Sequence, residues 1–184
     1  MSRERDAKLM AMVSQGDHSA FETVLSEYLD ALYAYALRLS GSPAMAEDLV
    51  QDTWLAVWQK AASYRARKAS LATWLHRILH NQFVDRMRKR RELPEEAGPP
   101  ASELTDPETT PAQAAKLARD ADALREALTT LPENQRAALL LRHASGFSTP
   151  EVGAILGVST RAAESLLARG RRSLKSLLEN DAVE

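Results

Sequence analysis

The chain has 184 residues, of which 45% are hydrophobic and 27% charged, and its 24 basic and 25 acidic side chains give a formal net charge of −1. These values are typical of a folded chain of one domain or two small ones and argue against wholesale disorder. With no cysteine, a charged start and no apolar run of membrane-spanning length, the sequence predicts a cytoplasmic protein without disulfides, secretory signal or membrane insertion.

The first half of the chain carries three stripes of apolar residues at three- and four-residue spacing, which predicts three amphipathic helices. The stripes run from Phe21 to Leu39, from Leu49 to Trp58 and from Leu71 to Met87. We expect Trp54, Trp58 and Trp74 to be core or interface residues and not parts of a cofactor site.

Polar residues in this half form three distinct groups. Residues 46–54, AEDLVQDTW, place acids and a glutamine on one helical face, and residues 64–70 form a basic segment with one aromatic. The third helix carries Trp74 and Asn81 and ends with five cations within residues 86–91. Aromatic rings, cations and an amide together suit single-stranded DNA, although each charged face alone is also typical of a solvated helix surface.

Residues 93–117 interrupt the helical pattern and predict an extended linker. Five of the eight prolines fall there, and proline fixes φ and removes a backbone donor. The linker is acidic: residues 94–122 hold 2 basic and 7 acidic side chains, whereas residues 1–93 hold 14 and 11 and residues 123–184 hold 8 and 7. The near-zero total therefore combines segments of +3, −5 and +1, and it does not exclude a nucleic-acid partner.

The second lobe is also predicted to be helical. Apolar residues from Leu117 to Leu131 form one stripe, and Pro132 begins a new helix that continues through Leu141. Neither half shows the alternation of a strand or the signal of a hairpin. The predicted fold is thus all-α, with two small helical domains, 1–92 and 118–184, joined by the linker.

Residues 148–178 have the pattern of a helix-turn-helix. Ser148 and Glu151 form a capping box with Pro150 in the first turn, Gly157 suits a tight turn, and Ser159 or Thr160 can cap the next helix. Gly153 is the small residue expected beneath the helix crossing. The predicted crossing residues are Val152, Leu156, Val158, Ala163 and Leu166. A helical hairpin with a solvated basic face is the alternative interpretation of this segment.

Taken in order, these segments resemble the extracytoplasmic-function (ECF) sigma factors, the small two-domain sigma subunits of bacterial RNA polymerase. The segments are AEDLVQDTWLAVW, LATWLHRILHNQFVDRMRKRR and LPENQRAALLLRHASGFSTPEVGAILGVSTRAAESLLARGRRSL. The resemblance covers roughly residues 5–92 and 118–178. It implies a protein that is not an enzyme, binds core polymerase and promoter DNA, promotes melting, and is controlled by an anti-sigma factor.

The resemblance also implies roles for individual residues, with sigma region 2 in residues 1–92 and sigma region 4 in residues 118–184. The residues implied to bind the clamp helices of the largest polymerase subunit are Asp48, Gln51 and Asp52. Those implied to capture the −10 element are Tyr64, Arg67, Lys68, Ser70, Trp74, Arg77, Asn81, Arg88 and Arg91. Those implied to hold or read the −35 element are Arg142, Thr149, Ser159, Thr160, Arg161, Ser165, Arg169, Arg171 and Arg172. Region 4 would also touch the polymerase flap.

Other functions find less support in the sequence. His76 and His80 have the i, i+4 spacing of a metal site, but no cysteine accompanies them and His18 and His143 lie far away, so we expect no metal site. No glycine-rich phosphate loop, nucleophile elbow or triad is present, so we expect no catalytic residue, cofactor or small-molecule substrate. A dimeric helix-turn-helix repressor and a pure interaction protein that mimics a sigma factor remain the alternatives.

Overall fold

The computed structural model describes the backbone of residues 3–92 and 111–181 and the side chains of residues 3–92 and 121–179. Every regular element in these ranges is helical, as predicted. In chain order the elements are α1 (Arg3–Val13), α2 (His18–Ser40), α3 (Pro43–Lys60), a 3₁₀ turn (Ala61–Ser63), α4 (Leu71–Glu92), α5 (Pro111–Thr130), α6 (Glu133–Leu139), a π-helical turn (Leu140–Ala144), α7 (Thr149–Leu156) and α8 (Thr160–Asp181).

Local capping chemistry sets the ends of the N-terminal helices. The Asp17 carboxylate accepts from the amide of Ala20 at 3.0 Å and begins α2. Gly41, at φ 69°, ends α2 in the left-handed region, where a residue without Cβ is favoured. Ser42 then caps α3.

The N-terminal lobe is a bundle in which α2 and α4 pack against α3. Its core includes the fully buried side chains of Leu32, Leu49, Leu75 and Phe83. Truncating one such leucine to alanine typically costs about 2–5 kcal/mol of stability, because the cavity does not fully close.

Both tryptophans of α3 lie where the sequence places them. Trp54 is buried, with its ring edge-to-face against Phe21. Trp58 is half-buried and stacks on His18 at a centroid distance of 4.8 Å. The first is a core residue and the second closes the edge of the bundle.

The C-terminal lobe contains α5 to α8, with α6 and α7 packed against α8. Helix α5 begins at Pro111, so it includes the last residues of the range 93–117 that the sequence assigns to an extended linker. Residues 93–110 of that range lie outside the described residues.

The two lobes are in contact through α4 and α7. Phe147, just before α7, is buried with its ring edge-to-face against His76, at a centroid distance of 4.8 Å. At the other end of α4, Arg91 forms an ion pair with Glu133 of α6 at 2.7 Å. The apolar contact is the stronger of the two, because an exposed ion pair contributes about 0–1 kcal/mol.

Two buried histidines of α4 lie beside this contact. Nδ1 of His76 lies 2.9 Å from the carbonyl of Ala72, to which it donates, so Nε2 is left as a buried acceptor without a partner. Nδ1 of His80 lies 3.4 Å from the hydroxyl of Tyr35. Burial raises the pKa of that phenol, and the positive charge of the Arg136 guanidinium opposes the rise. Burial lowers the pKa of both histidines to about 4.

These depressed pKa values predict acid sensitivity. Between pH about 6.5 and about 4 the unfolded chain binds protons at both histidines and the folded chain does not, so the free energy of unfolding falls as the pH falls. The loss amounts to about 3 kcal/mol for each histidine. Denaturant unfolding of wild type, His76→Gln and His80→Gln across this range measures it. Each variant should lose part of the pH slope, and the exposed control His143→Gln should keep it; equal slopes in all four proteins would contradict the assignment.

Candidate nucleic-acid interface

Helix α4 presents one exposed polar stripe. Arg77, Asn81, Arg88 and Arg91 follow each other at spacings of four, seven and three residues, and all four are exposed. Half-exposed Trp74 adjoins the N-terminal end of the stripe. An aromatic, an amide and three cations on one surface can stack on bases, bond to base edges and hold phosphates.

In the loop before α4, the side chain of Tyr64 is buried. This side chain is only 7% exposed, and its ring lies 5.5 Å from that of Trp74. Its hydroxyl donates to the carbonyl of Ala69 at 3.4 Å, and burial raises its pKa. The implied role of Tyr64 in capturing the −10 element stays a prediction; in this structure its ring packs beneath the loop and supports Trp74.

The other predicted residues of this loop divide into two kinds. Arg67 and Lys68 are exposed and extend the cationic surface. Ser70 has a structural role, because its hydroxyl accepts a hydrogen bond from the amide of Thr73 at 3.1 Å and so caps the start of α4.

On α3, the predicted polymerase-binding residues share one face. Asp48, Gln51 and Asp52 stand at i, i+3 and i+4, and the side chains of the two acids are 60% and 44% exposed. Both carboxylates contact Arg86 of α4, at 2.8 Å and 2.7 Å. The sequence gives no local signal for this contact, because its partners are 34 and 38 residues apart.

The helix-turn-helix has the predicted caps and turn. Glu151 accepts from the amide of Ser148 at 2.9 Å and from its hydroxyl at 2.6 Å, and these hydrogen bonds lower the pKa of Glu151. Gly157 adopts φ 68°. Helix α8 begins at Thr160, where the hydroxyl of Ser159 accepts from the amide of Ala162 at 3.2 Å.

The helix crossing differs in part from the prediction. Val152 and Ala163 are buried as expected, but the other buried residues are Ile155 and Leu167. The predicted Leu156 and Leu166 are only half-buried, and Val158 is exposed. Successive residues of a helix point about 100° apart. Leu156 and Leu166 each lie one position from buried Ile155 and Leu167, so they lie at the side of the helix contact.

Helix α8 carries the second exposed stripe. Arg161, Ser165, Arg169 and Arg172 recur at spacings of four, four and three residues and are all exposed. Ser159 and Thr160 are exposed at its N-terminal end, the end with which a groove-reading helix contacts bases. Exposed Arg171 lies off the stripe by one position and lines a groove of about 670 Å³ shared with Leu37 of α2.

The two remaining predicted residues flank α7. Exposed Arg142 donates to the carbonyl of Phe147 at 3.0 Å and so braces the turn that leads into the helix. Thr149 is half-buried at the first position of α7.

Two further features of the described residues bear on function. Across residues 3–92 and 111–181 none of the helices is both long and apolar enough to cross a membrane. Within the same part of the chain, His, Asp and Glu side chains form no group of three that could hold a metal ion.

Comparison with known proteins assigns both lobes. The family model described as Sigma-70 region 2 matches residues 24–92, and that described as Sigma-70, region 4 matches residues 121–174. The chain is 39% identical to the ECF RNA polymerase sigma factor EcfG of Rhodopseudomonas palustris, covering 84% of this chain and 82% of the relative. It is 34% identical to SigE of Mycolicibacterium smegmatis over 92% of its own length, but spans only 66% of that relative, and it spans 49% of SigG of Mycobacterium tuberculosis.

Two solved structures extend the comparison to the fold. The sigma factor RpoE in complex with the anti-sigma factor NepR, from Bartonella quintana, matches with a TM-score of 0.71 and 34% identity, covering 86% of this chain and 96% of that one. CnrH in complex with the cytosolic domain of CnrY matches with a TM-score of 0.68 and 26% identity, covering 96% and 99%.

Gly153 offers a direct test of the helix-turn-helix geometry. A Cβ there would lie 3.0 Å from the carbonyl oxygen of Val158, a backbone atom that cannot rotate away. We expect Gly153→Ala to lower the free energy of unfolding by about 1–3 kcal/mol. Denaturant unfolding measures this, with Ala154→Ser as the control that adds one heavy atom at the neighbouring exposed position. Equal stability of the two variants would contradict the close approach of α7 and the turn.

Proposed function

The chain belongs to the ECF sigma factors of the sigma-70 family, which are not enzymes, and on this premise we propose that it directs bacterial RNA polymerase to promoters and helps to open them. The observation that carries the proposal is the agreement between the matched regions and the two exposed stripes. Region 2 contains the stripe of α4 and region 4 contains that of α8. Such a protein would act in the cytoplasm, where the polymerase is.

We assign the −10 element to α4 and its preceding loop. Strand opening needs a partner for unstacked bases, and Trp74 is the half-exposed aromatic at the end of the stripe. Arg77, Asn81 and Arg88 continue the surface along about three turns of helix, which suits a single strand held by its backbone. Tyr64 supports this surface from below.

We assign the −35 element to α8. A single exposed helix with a polar N-terminal end and arginines along one side has the geometry that enters a major groove. Arg161 and Ser165 lie nearest that end, and Arg169 and Arg172 lie where a helix meets the flanking phosphates.

We assign core polymerase binding to the acidic face of α3. Asp48 and Gln51 are exposed and Asp52 is partly exposed on one side of that helix, whereas the stripes of α4 and α8 carry cations. An acidic face requires a cationic partner surface, whereas the stripes require phosphates. The separation of charge thus lets one small chain hold polymerase and DNA at once.

An anti-sigma factor is the proposed regulator. The RpoE and CnrH structures that this chain resembles are described as complexes with an anti-sigma factor and with the cytosolic domain of CnrY. In the present structure the lobes touch through Phe147 and His76, so one regulator could contact both at the same time.

The proposed role requires the lobes to separate. Promoter elements about 17 base pairs apart lie roughly 60 Å apart at 3.4 Å per pair, whereas a compact chain of this length has a radius of gyration of about 16 Å. We therefore propose two domains, 1–92 and 118–184, whose contact opens on the polymerase, with residues 93–117 as the connection. Residues 111–117 lie in α5, and the 18 residues 93–110 before them would span roughly 60 Å if fully extended, at roughly 3.3 Å per residue.

Selective transcription tests the function. Core polymerase supplied with this chain should produce run-off transcripts from promoters recovered by sequencing the DNA that it protects, and core polymerase alone should not. Tight binding of a palindromic duplex without polymerase, and no initiation with it, would instead support a dimeric repressor.

Charge reversal tests the acidic face. Asp48→Arg and Asp52→Arg should each weaken binding to core polymerase at least tenfold, because an attraction becomes a repulsion. Fluorescence anisotropy measures the affinity of each variant for core polymerase in the absence of DNA, and circular dichroism verifies that each variant is folded. Asp30→Arg, an exposed reversal on α2, is the matched control. An unchanged affinity in both α3 variants would reject this surface.

Arg169→Ala tests the −35 assignment. Loss of one arginine contact should cost about 1–3 kcal/mol, which is roughly 5- to 150-fold in open-complex formation on a promoter that has a −35 element. Lys175→Ala, further along the exposed side of α8, should have a smaller effect. If Arg169→Ala reduced open-complex formation equally on promoters with and without a −35 element, Arg169 would not contact that element.

A further inference from the structure

Arg86 ties the acidic face of α3 to α4. Its Nη1 donates to Oδ2 of Asp48 at 2.8 Å and its Nη2 to Oδ2 of Asp52 at 2.7 Å. The Arg86 side chain is 33% exposed and thus more enclosed than either acid. One planar guanidinium therefore spans two carboxylates that stand one helical turn apart.

The contact leaves both acids available to a partner. In the described part of the chain each ion pair uses Oδ2, and Oδ1 of each carboxylate lies on a side chain that is about half exposed or more. A carboxylate has about four acceptor positions, so it can hold Arg86 and a further donor together. A cation of the polymerase can thus share these acids with Arg86 and need not displace it.

Without Arg86, the same acids would be poorly ordered. Two carboxylates at i, i+4 repel each other, and each could then rotate among its rotamers. Fixing an exposed side chain on binding lowers affinity, because the side chain loses rotamer freedom. Arg86 removes this cost from the binding step, because it already orders both acids in the free protein.

Arg86 is distinct from the neighbouring arginines of α4. Arg88 and Arg91 lie on the exposed stripe assigned to DNA, with side chains 66% and 72% exposed. Arg86 faces α3 instead. Of the five cations in residues 86–91, it is the one whose described contacts join it to the acidic face.

We propose that Arg86 is a positioning residue for polymerase binding: it orders Asp48 and Asp52 for cationic side chains of the polymerase. The proposal rests on the assignment of the acidic face in the proposed function. It makes a prediction opposite to that of net charge alone. Removing a cation makes the face more negative, yet we expect it to weaken the binding of a cationic partner.

The experiment measures the affinity of the full chain for core polymerase without DNA, in a mutant cycle. The variants are Arg86→Met, the pair Asp48→Asn and Asp52→Asn, and all three changes together. We expect Arg86→Met to weaken binding roughly five- to tenfold. In the background of the two asparagines, the same change should alter affinity less than twofold, because it acts through the acids.

Two further variants separate charge, geometry and folding. Arg86→Lys keeps the charge but loses the planar fork, so we expect weaker binding than wild type. Lys89→Met removes a neighbouring exposed cation of α4 that belongs to neither the acidic face nor the stripe, and it should leave core affinity unchanged. Thermal unfolding of each variant shows whether a loss of affinity comes from a loss of fold, in which case Arg86→Lys takes the place of Arg86→Met in the cycle.

The outcomes distinguish the two claims. If the asparagine pair binds core polymerase like wild type, the acidic-face assignment fails and the role of Arg86 fails with it. If the pair weakens binding but loss of the Arg86 fork leaves affinity unchanged or raises it, the role of Arg86 alone is overturned. It is also overturned if the Arg86 substitution has the same effect in both backgrounds, since Arg86 would then act independently of the acids.

Discussion

The packing of α4 is the constraint on which the rest of the structure depends. Leu75 and Phe83 fill the core of the N-terminal lobe, His76 meets Phe147 of the C-terminal lobe, and Arg86 reaches the acids of α3. The side that remains exposed carries Arg77 and its stripe. Because the helical period fixes these directions together, rotating one face would displace all the others. Core, lobe contact, acidic face and exposed cationic stripe are thus aligned by one helix.

The distribution of charge is compatible with the proposed binding of both polymerase and DNA by a chain of net charge −1. Cations lie on the exposed stripes of α4 and α8, and acids lie on α3. Each stripe alone offers few phosphate contacts, so promoter binding by the free chain should be weak and salt-sensitive. Affinity for the promoter would then come from the assembly with polymerase. In the proposed opening of the lobes, the ion pair between Arg91 and Glu133 would break and leave Arg91 available to DNA.

Sequence reasoning succeeded where the signal was local. The all-α fold, the capping box at Ser148 and the turn at Gly157 each depend on residues within one or two turns of each other. It could not predict contacts whose partner lies on another element of the fold. The burial of Tyr64 depends on how its loop folds against Trp74, and the two ion pairs of Arg86 span 34 and 38 residues. No spacing rule reports such contacts, because they arise from the packing of helices.

The most direct test of this account is the distance between the two lobes with and without the polymerase. Because the chain has no cysteine, Ser26→Cys on α2 and Ser176→Cys on α8 provide a unique pair of exposed sites for spin labels. Electron–electron resonance should give one short distance for the free chain and a longer one for the chain bound to core polymerase on promoter DNA. The same short distance in a complex that initiates transcription would contradict the account.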